Sequence, residues 1–265
     1  MSLHVLLGVY AAVLGLIVGS YLNVVIYRLP RGISTVFPRS CCPGCGAPIR
    51  AVDNLPLLSF LVLGGRCRSC RARISWRYPL IEAATAALFV SCFLRFGLTF
   101  EAPAAALFCA LMLVLAVIDV DHLILPDAIT WPAILLGIFL QPLLPWARLW
   151  DGPWGAVAGA VCGAALGAGI LLAVWGGWYL LRHEEGMGLG DVKMLAAIGA
   201  FLGWKGVAVS LFFAALSGAT VGLALMAWGG YGARSKLPFG AFLALGGLVA
   251  LFAGEPLVQA YARWL

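Results

Sequence analysis

Apolar residues in this chain fall into long runs that recur from one end to the other, and short polar segments between them hold most of the charge. A helix needs about 20 apolar residues to cross the hydrocarbon core of a bilayer. On that measure the pattern predicts helices near 3–27, 79–97, 103–120, 128–145, 154–181, 192–203, 206–228 and 239–256. The expected fold class is therefore all-α and polytopic, with about eight transmembrane helices and both termini on the same side of the membrane. The first run is too long for the apolar core of a signal peptide. It lacks a basic leader, and no small-residue cleavage site follows it, so it is expected to be a retained helix.

Two runs depart from a plain crossing. The run at 192–203 is about 18 Å long as a helix, at about 1.5 Å per residue, too short to span about 30 Å of hydrocarbon. Joined to 206–228 it would be far too long. A short helix, a turn at Trp204–Lys205 and a full helix fit better, with Asp191 at the start of the short one. In the fifth run Gly155, Gly159, Gly163 and Gly167 recur every four residues and share one helix face. Such a face lets a neighbouring helix approach closely; a substrate groove is the alternative reading.

Composition agrees with the pattern. Of 265 residues 63% are hydrophobic and 11% charged, against about 25% charged in an average soluble domain. The net charge of +6 suggests nucleic acid only until the charges are located. Nine of the 17 Lys and Arg lie between Arg28 and Arg77, among cysteines, and the remainder sit singly at the ends of apolar runs. That is how the positive-inside rule distributes charge, and no nucleic-acid partner is expected. With 28–78 placed inside, those nine are joined by Arg182, Lys193, Arg234 and Lys236, leaving Arg95, Arg148, Lys205 and Arg263 outside. The excess puts 28–78 in the cytoplasm and both termini in the periplasm. The expected divisions are a first transmembrane helix at 1–27, a cytoplasmic insert at 28–78 and a transmembrane region at 79–265.

The insert carries Cys42 and Cys45 as one CxxC pair and Cys67 and Cys70 as another. Two such knuckles at about this separation mark a four-thiolate zinc site. An insert of this size has a poor core, and a structural zinc contributes about 10–16 kcal/mol to such a fold. Disulfides are the rival, disfavoured in a reducing cytoplasm, and unliganded thiols are the other alternative. Four cysteines close the tetrahedron, so the metal would be structural. Cys41 reads as spare, and Cys92, Cys109 and Cys162, inside apolar runs, as packing residues.

Acidic residues number only 11, and three of them, Asp119, Asp121 and Asp127, fall within AVIDVDHLILPDAIT. A carboxylate at membrane depth costs at least about 2.5–3.5 kcal/mol and is a functional candidate by default; a short polar loop between spans is the alternative. In the second cluster, HEEGMGLGDVK, Gly186, Gly188 and Gly190 precede Asp191, and Lys193 follows it. Glycines there permit close approach and unusual dihedrals. Two carboxylates from separate helices suggest aspartic-protease chemistry, one acting as base toward water and the other as acid toward the peptide carbonyl.

With these residues in view, the chain resembles the prepilin peptidases, membrane aspartic proteases of the GxGD type. GSYLNVVIYRLP, CPGC, DNLPLLSFLVLGGRCRSC, ISWRYPLIEAATA, IDVDHLILPDAIT, GMGLGDVKMLAAIGAFLGW and LPFGAFLALGG occur in the family's order along nearly the whole sequence. The resemblance implies cleavage of type IV prepilins or pseudopilins after a glycine, at the cytoplasmic face of a bacterial inner membrane. It implies Asp119 and Asp191 as the catalytic pair, with Asp121 as the competitor for the first position and Asp127, Gly188, Gly190 and Lys193 as supporting residues. Archaeal preflagellin peptidases resemble the first motif at Asp119 rather than at Asp121. Many family members also methylate the new N-terminus with S-adenosylmethionine, an activity associated with the cysteine-bearing domain, which this chain retains. In the insert, Asp53 and Asn54 could bond a cofactor or shape a turn. A transporter or a non-catalytic pilus scaffold are the rival classes, and whether the chain forms a homodimer is open from sequence.

Overall fold

The computed structural model describes residues 3–144, 151–183, 187–228 and 237–263. Its helices are α1 Leu3–Arg28, α2 Leu58–Val62, α3 Arg77–Phe96, α4 Glu101–His122, α5 Asp127–Leu140, α6 Pro153–Arg182, α7 Leu189–Ala227 and α8 Phe239–Ala262. Among the described residues the only β structure is two isolated bridges in the insert. Among the described residues six helices are long and apolar enough to cross a membrane, and a shorter apolar helix covers Asp127–Leu143. Their outer faces carry large apolar side chains such as Phe139, Leu94 and Leu181, as a hydrocarbon solvent allows.

The 39 residues of α7 would measure about 58 Å if straight, nearly twice the hydrocarbon thickness. The helix is broken at Gly203, with φ 68° and ψ −172°, a region open essentially only to glycine. The break falls one residue before the predicted turn and leaves a short first half and a full second half. Counting those halves separately, with Asp127–Leu143 added, gives the eight apolar segments expected. The predicted 128–145 run ends at a position outside the described residues, as do Arg148, Gly186, Arg234 and Lys236.

The chain divides into two compact units, Met1–Ala110 and Leu111–Leu265. In the first, α1 and α3 meet at Gly15 and Gly19. A Cβ there would lie 2.6 Å from Ala86 Cα and 2.8 Å from Glu82 Cα, so the close approach requires glycine. Asn23, buried on α1, donates its Nδ2 to Tyr78 O at 3.1 Å and to Gly19 O at 3.3 Å. Cys92 and Cys109 are buried with sulfurs 3.7 Å apart, as packing residues should be. Cys162 differs: it is exposed on the surface of α6.

In the second unit the short half of α7 is the centre. Every residue from Met194 to Gly203 is buried, so this apolar half-helix is enclosed by its neighbours rather than by lipid. The four glycines of α6 are buried, and two of them lie against it: a Cβ at Gly163 would lie 2.8 Å from Gly203 Cα, and one at Gly167 2.9 Å from Leu195 C. Close packing accounts for the every-fourth-residue pattern. Gln141, fully buried at the end of α5, donates Nε2 to Ala200 O at 3.2 Å and Phe201 O at 2.5 Å. Those carbonyls precede the break at Gly203, where the regular helical donors are displaced.

Candidate active site and metal centre

Asp119 lies in the last turn of α4 and is 5% exposed. Leu123, at φ 53°, ends the helix by turning its N–H back to Asp119 O at 2.8 Å. The Asp119 Oδ2 accepts the Ala241 N–H at 3.1 Å, and the Gly240 N–H also reaches the carboxylate. Both donors belong to the first turn of α8, where backbone N–H groups lack helical partners and aim at an anion. A Cβ at Gly240 would lie 2.9 Å from that same oxygen, so only glycine leaves the carboxylate its place.

Asp191 is the third residue of α7, 8% exposed. Gly188 caps the helix in extended conformation and accepts the Asp191 N–H at 3.2 Å. The carboxylates of Asp191 and Asp119 lie within electrostatic reach of each other. The side chain of Leu125 sits between the two glycines that admit them. A Cβ at Gly190 would lie 2.8 Å from Leu125 Cβ, and one at Gly240 3.0 Å from Leu125 Cδ1.

Of the remaining acids, Asp121 is exposed. Asp127 opens α5 and pairs with Lys193 of α7, tying together the starts of those helices. Sequence reasoning missed Gly240 and Leu125. The signal for Gly240 was present in LPFG, a glycine just inside a helix start, but nothing in the sequence joined it to an aspartate 121 residues earlier.

The cysteines form a second centre, in the first unit. The sulfurs of Cys42, Cys45, Cys67 and Cys70 lie within 4.8 Å of one another. Each CxxC is a tight turn closed the same way. Cys42 N–H donates to Ala47 O and Gly46 N–H to Cys42 O; Cys67 N–H donates to Ala72 O and Arg71 N–H to Cys67 O. The residue after each second cysteine is left-handed, Gly46 at φ 69° and Arg71 at φ 60°. Backbone N–H groups of Cys70 and Ser69 lower the Cys67 thiol to about 6. At Cys45 the Ala47 N–H acts in the same sense, but the Cys70 thiol, desolvation and the Cys42 thiol together outweigh it and push the thiol up to about 11. The cluster could hold a metal ion. Zn–S bonds of about 2.3 Å in a tetrahedron put sulfurs about 3.8 Å apart, and Cys42 and Cys70 are 3.8 Å apart. Asp53 lies in a turn of 3-10 helix, Ala51–Asn54, and takes three bonds from Arg68 on the second knuckle at 2.6–3.0 Å. Arg68 holds its carboxyl below the usual carboxylate range.

Comparison with known proteins fits this division. Residues 13–96 match the bacterial peptidase A24 N-terminal domain, and residues 106–223 match the type IV leader peptidase family. A prepilin leader peptidase/N-methyltransferase of Burkholderia pseudomallei is 40% identical, over 93% of this chain and 85% of its own. One of Aeromonas hydrophila is 37% identical over 93% and 90%, and one of Myxococcus xanthus 44% identical over 87% and 67%. No solved structure matches. Likeness at this level, over most of both chains and through both candidate centres, means that this chain belongs to the type IV leader peptidase family.

Proposed function

We infer that the chain is a prepilin leader peptidase that also methylates the N-terminus it creates. The observation that carries the peptidase reading is the pairing of Asp119 and Asp191, two buried carboxylates on different helices. Both sit at helix ends, Asp119 in the last turn of α4 and Asp191 in the first turn of α7. Two carboxyls within electrostatic reach of each other do not readily ionise together, so the pair works with one proton. One takes a proton from the attacking water while the other protonates the scissile carbonyl; the roles reverse as the amine leaves. The Gly240 and Ala241 N–H groups fix the orientation of Asp119. Asp127 and Lys193 hold the start of α7 in register with α5.

The substrates are type IV prepilins or pseudopilins, cut after a glycine at the cytoplasmic face of the inner membrane. The arginines of 28–78 support a cytoplasmic insert and periplasmic termini. We assign 28–78 as a zinc-stapled domain tied to methyl transfer and 79–265 as the peptidase region. Zinc fits the four sulfurs and acts by holding the insert folded. S-adenosylmethionine supplies the methyl group, the amine lone pair forming N–CH3 as the S–CH3 bonding pair stays on sulfur and the amine sheds a proton. A homodimer is compatible with this reading.

Cleavage of a purified prepilin in detergent tests it. Asp119→Asn and Asp191→Asn should each lower activity by about a hundredfold to ten-thousandfold, the scale of loss when a positioned acid or base is deleted, and Asp121→Asn should retain part of it. Normal cleavage by Asp119→Asn would overturn the pair. The same preparation should carry about one zinc per chain, absent in Cys67→Ser because three thiolates leave the tetrahedron open.

A further inference from the structure

The first unit contains a cavity of about 630 Å³ with α1 and α3 on one side and the cysteine insert on the other. It belongs to the size class of small-molecule sites, about 300–1,000 Å³. Among the groups facing it are Asn23, Tyr27, Asn54, Tyr78 and Glu82. Glu82 stands out, because it is a carboxylate in a membrane-crossing helix and is 8% exposed. A carboxyl group at that depth is costly to bury and is a functional candidate by default.

Its surroundings are built to keep it there. Oε2 accepts the Leu57 N–H at 2.8 Å, and the Ser20 hydroxyl also bonds the carboxylate. Leu57 reaches it by adopting φ 58° and ψ −47°, a conformation that a non-glycine residue rarely takes. The insert therefore accepts a left-handed residue to dock on Glu82, and the two donors that orient the carboxyl are uncharged. Gly19, where a Cβ would lie 2.8 Å from Glu82 Cα, lets α1 close the wall beside it. Arg28, Arg50, Arg68 and Arg73 also line the cavity, and Arg31 lies over the Tyr27 ring, so the ligand that fits is a small organic zwitterion, with its cation toward Glu82 and its carboxylate toward the arginines.

We propose that this cavity binds S-adenosylmethionine, with Glu82 facing its sulfonium. The assignment rests on the methyltransferase reading above and deepens it, since nothing else here says where the donor sits. Transfer turns the sulfonium into a neutral thioether, so a carboxylate at that point tells fresh donor from spent product by charge. Glu82 is then a binding residue of the methyl-transfer site and takes no part in proteolysis.

Equilibrium binding of radiolabelled S-adenosylmethionine and of S-adenosylhomocysteine to the purified full chain tests the site. Wild-type protein should prefer the cationic donor, and Glu82→Gln should weaken donor binding at least about tenfold while changing binding of the thioether less than about threefold. Prepilin cleavage by the variant should be unchanged. Asn54→Trp, which fills the cavity from the insert side, should weaken both ligands alike and decides the matter if Glu82→Gln does not fold. Donor binding that is unaltered in both variants, or a Glu82→Gln loss equal for the two ligands, would overturn the proposal and leave methyl transfer standing. Wild-type protein that neither binds the donor nor methylates a pre-cleaved pilin would overturn both.

Discussion

Single atoms decide the environment of Asp119. Its Oδ2 is in contact range of the hydrogen on Gly240 Cα, and a methyl group there would lie 2.9 Å from that oxygen. The backbone of α8 is helical at this point and accepts alanine, so the carboxylate moves rather than the helix. Gly240→Ala should therefore cost little stability, within about 1 kcal/mol. It should lower the cleavage rate by about tenfold to a hundredfold, since misplacement by an ångström is worth that much. Thermal unfolding in detergent, read beside single-turnover cleavage, separates the two effects. Unimpaired cleavage would mean that the orientation of Asp119 is not set by the α8 terminus.

At the scale of elements, the broken α7 has a definite cause and a definite support. Gly203 supplies the dihedrals, and Gln141 takes up carbonyls at Ala200 and Phe201. Gln141→Leu keeps the volume but leaves these buried acceptors short of a donor, a loss of about 1–3 kcal/mol. The short half of α7 carries Asp191 at its far end, so its height in the bundle should also relax. The expected result is a lower unfolding temperature together with slower cleavage. Gln141→Glu, which as the protonated acid still offers one donor, should recover part of both. A fully stable Gln141→Leu protein would show that the break needs no cap.

For the whole molecule the two candidate centres lie in different compact units, the cysteines in Met1–Ala110 and the aspartates in Leu111–Leu265. Methylation must follow cleavage, because the amine does not exist until the leader is removed. Asp191→Asn should therefore yield neither product from intact prepilin, yet methylate a pre-cleaved pilin at close to the wild-type rate. Mass spectrometry of the pilin N-terminus reads both outcomes. A folded, zinc-loaded Asp191→Asn protein unable to methylate the pre-cleaved pilin would mean that the two activities share one site.

Much of this was legible in the sequence because the governing forces act over short stretches of chain. A bilayer demands long apolar runs, so the helices could be read from run length alone, including the one too short to cross. A CxxC knuckle is built from consecutive residues, so its four sulfurs were legible from spacing. Rarity in an apolar chain marked Asp119, Asp121, Asp127 and Asp191 alike, and only the family resemblance preferred Asp119 among the first three. The cause of the broken helix was not legible, because it depends on Gln141 reaching carbonyls about 60 residues onward. Nor was the support of Asp119 by Gly240, the wedge of Leu125 between two glycines, or the docking of Leu57 on Glu82. Each is a contact between segments far apart in the chain, where packing decides which neighbour arrives and the local pattern carries no record of it.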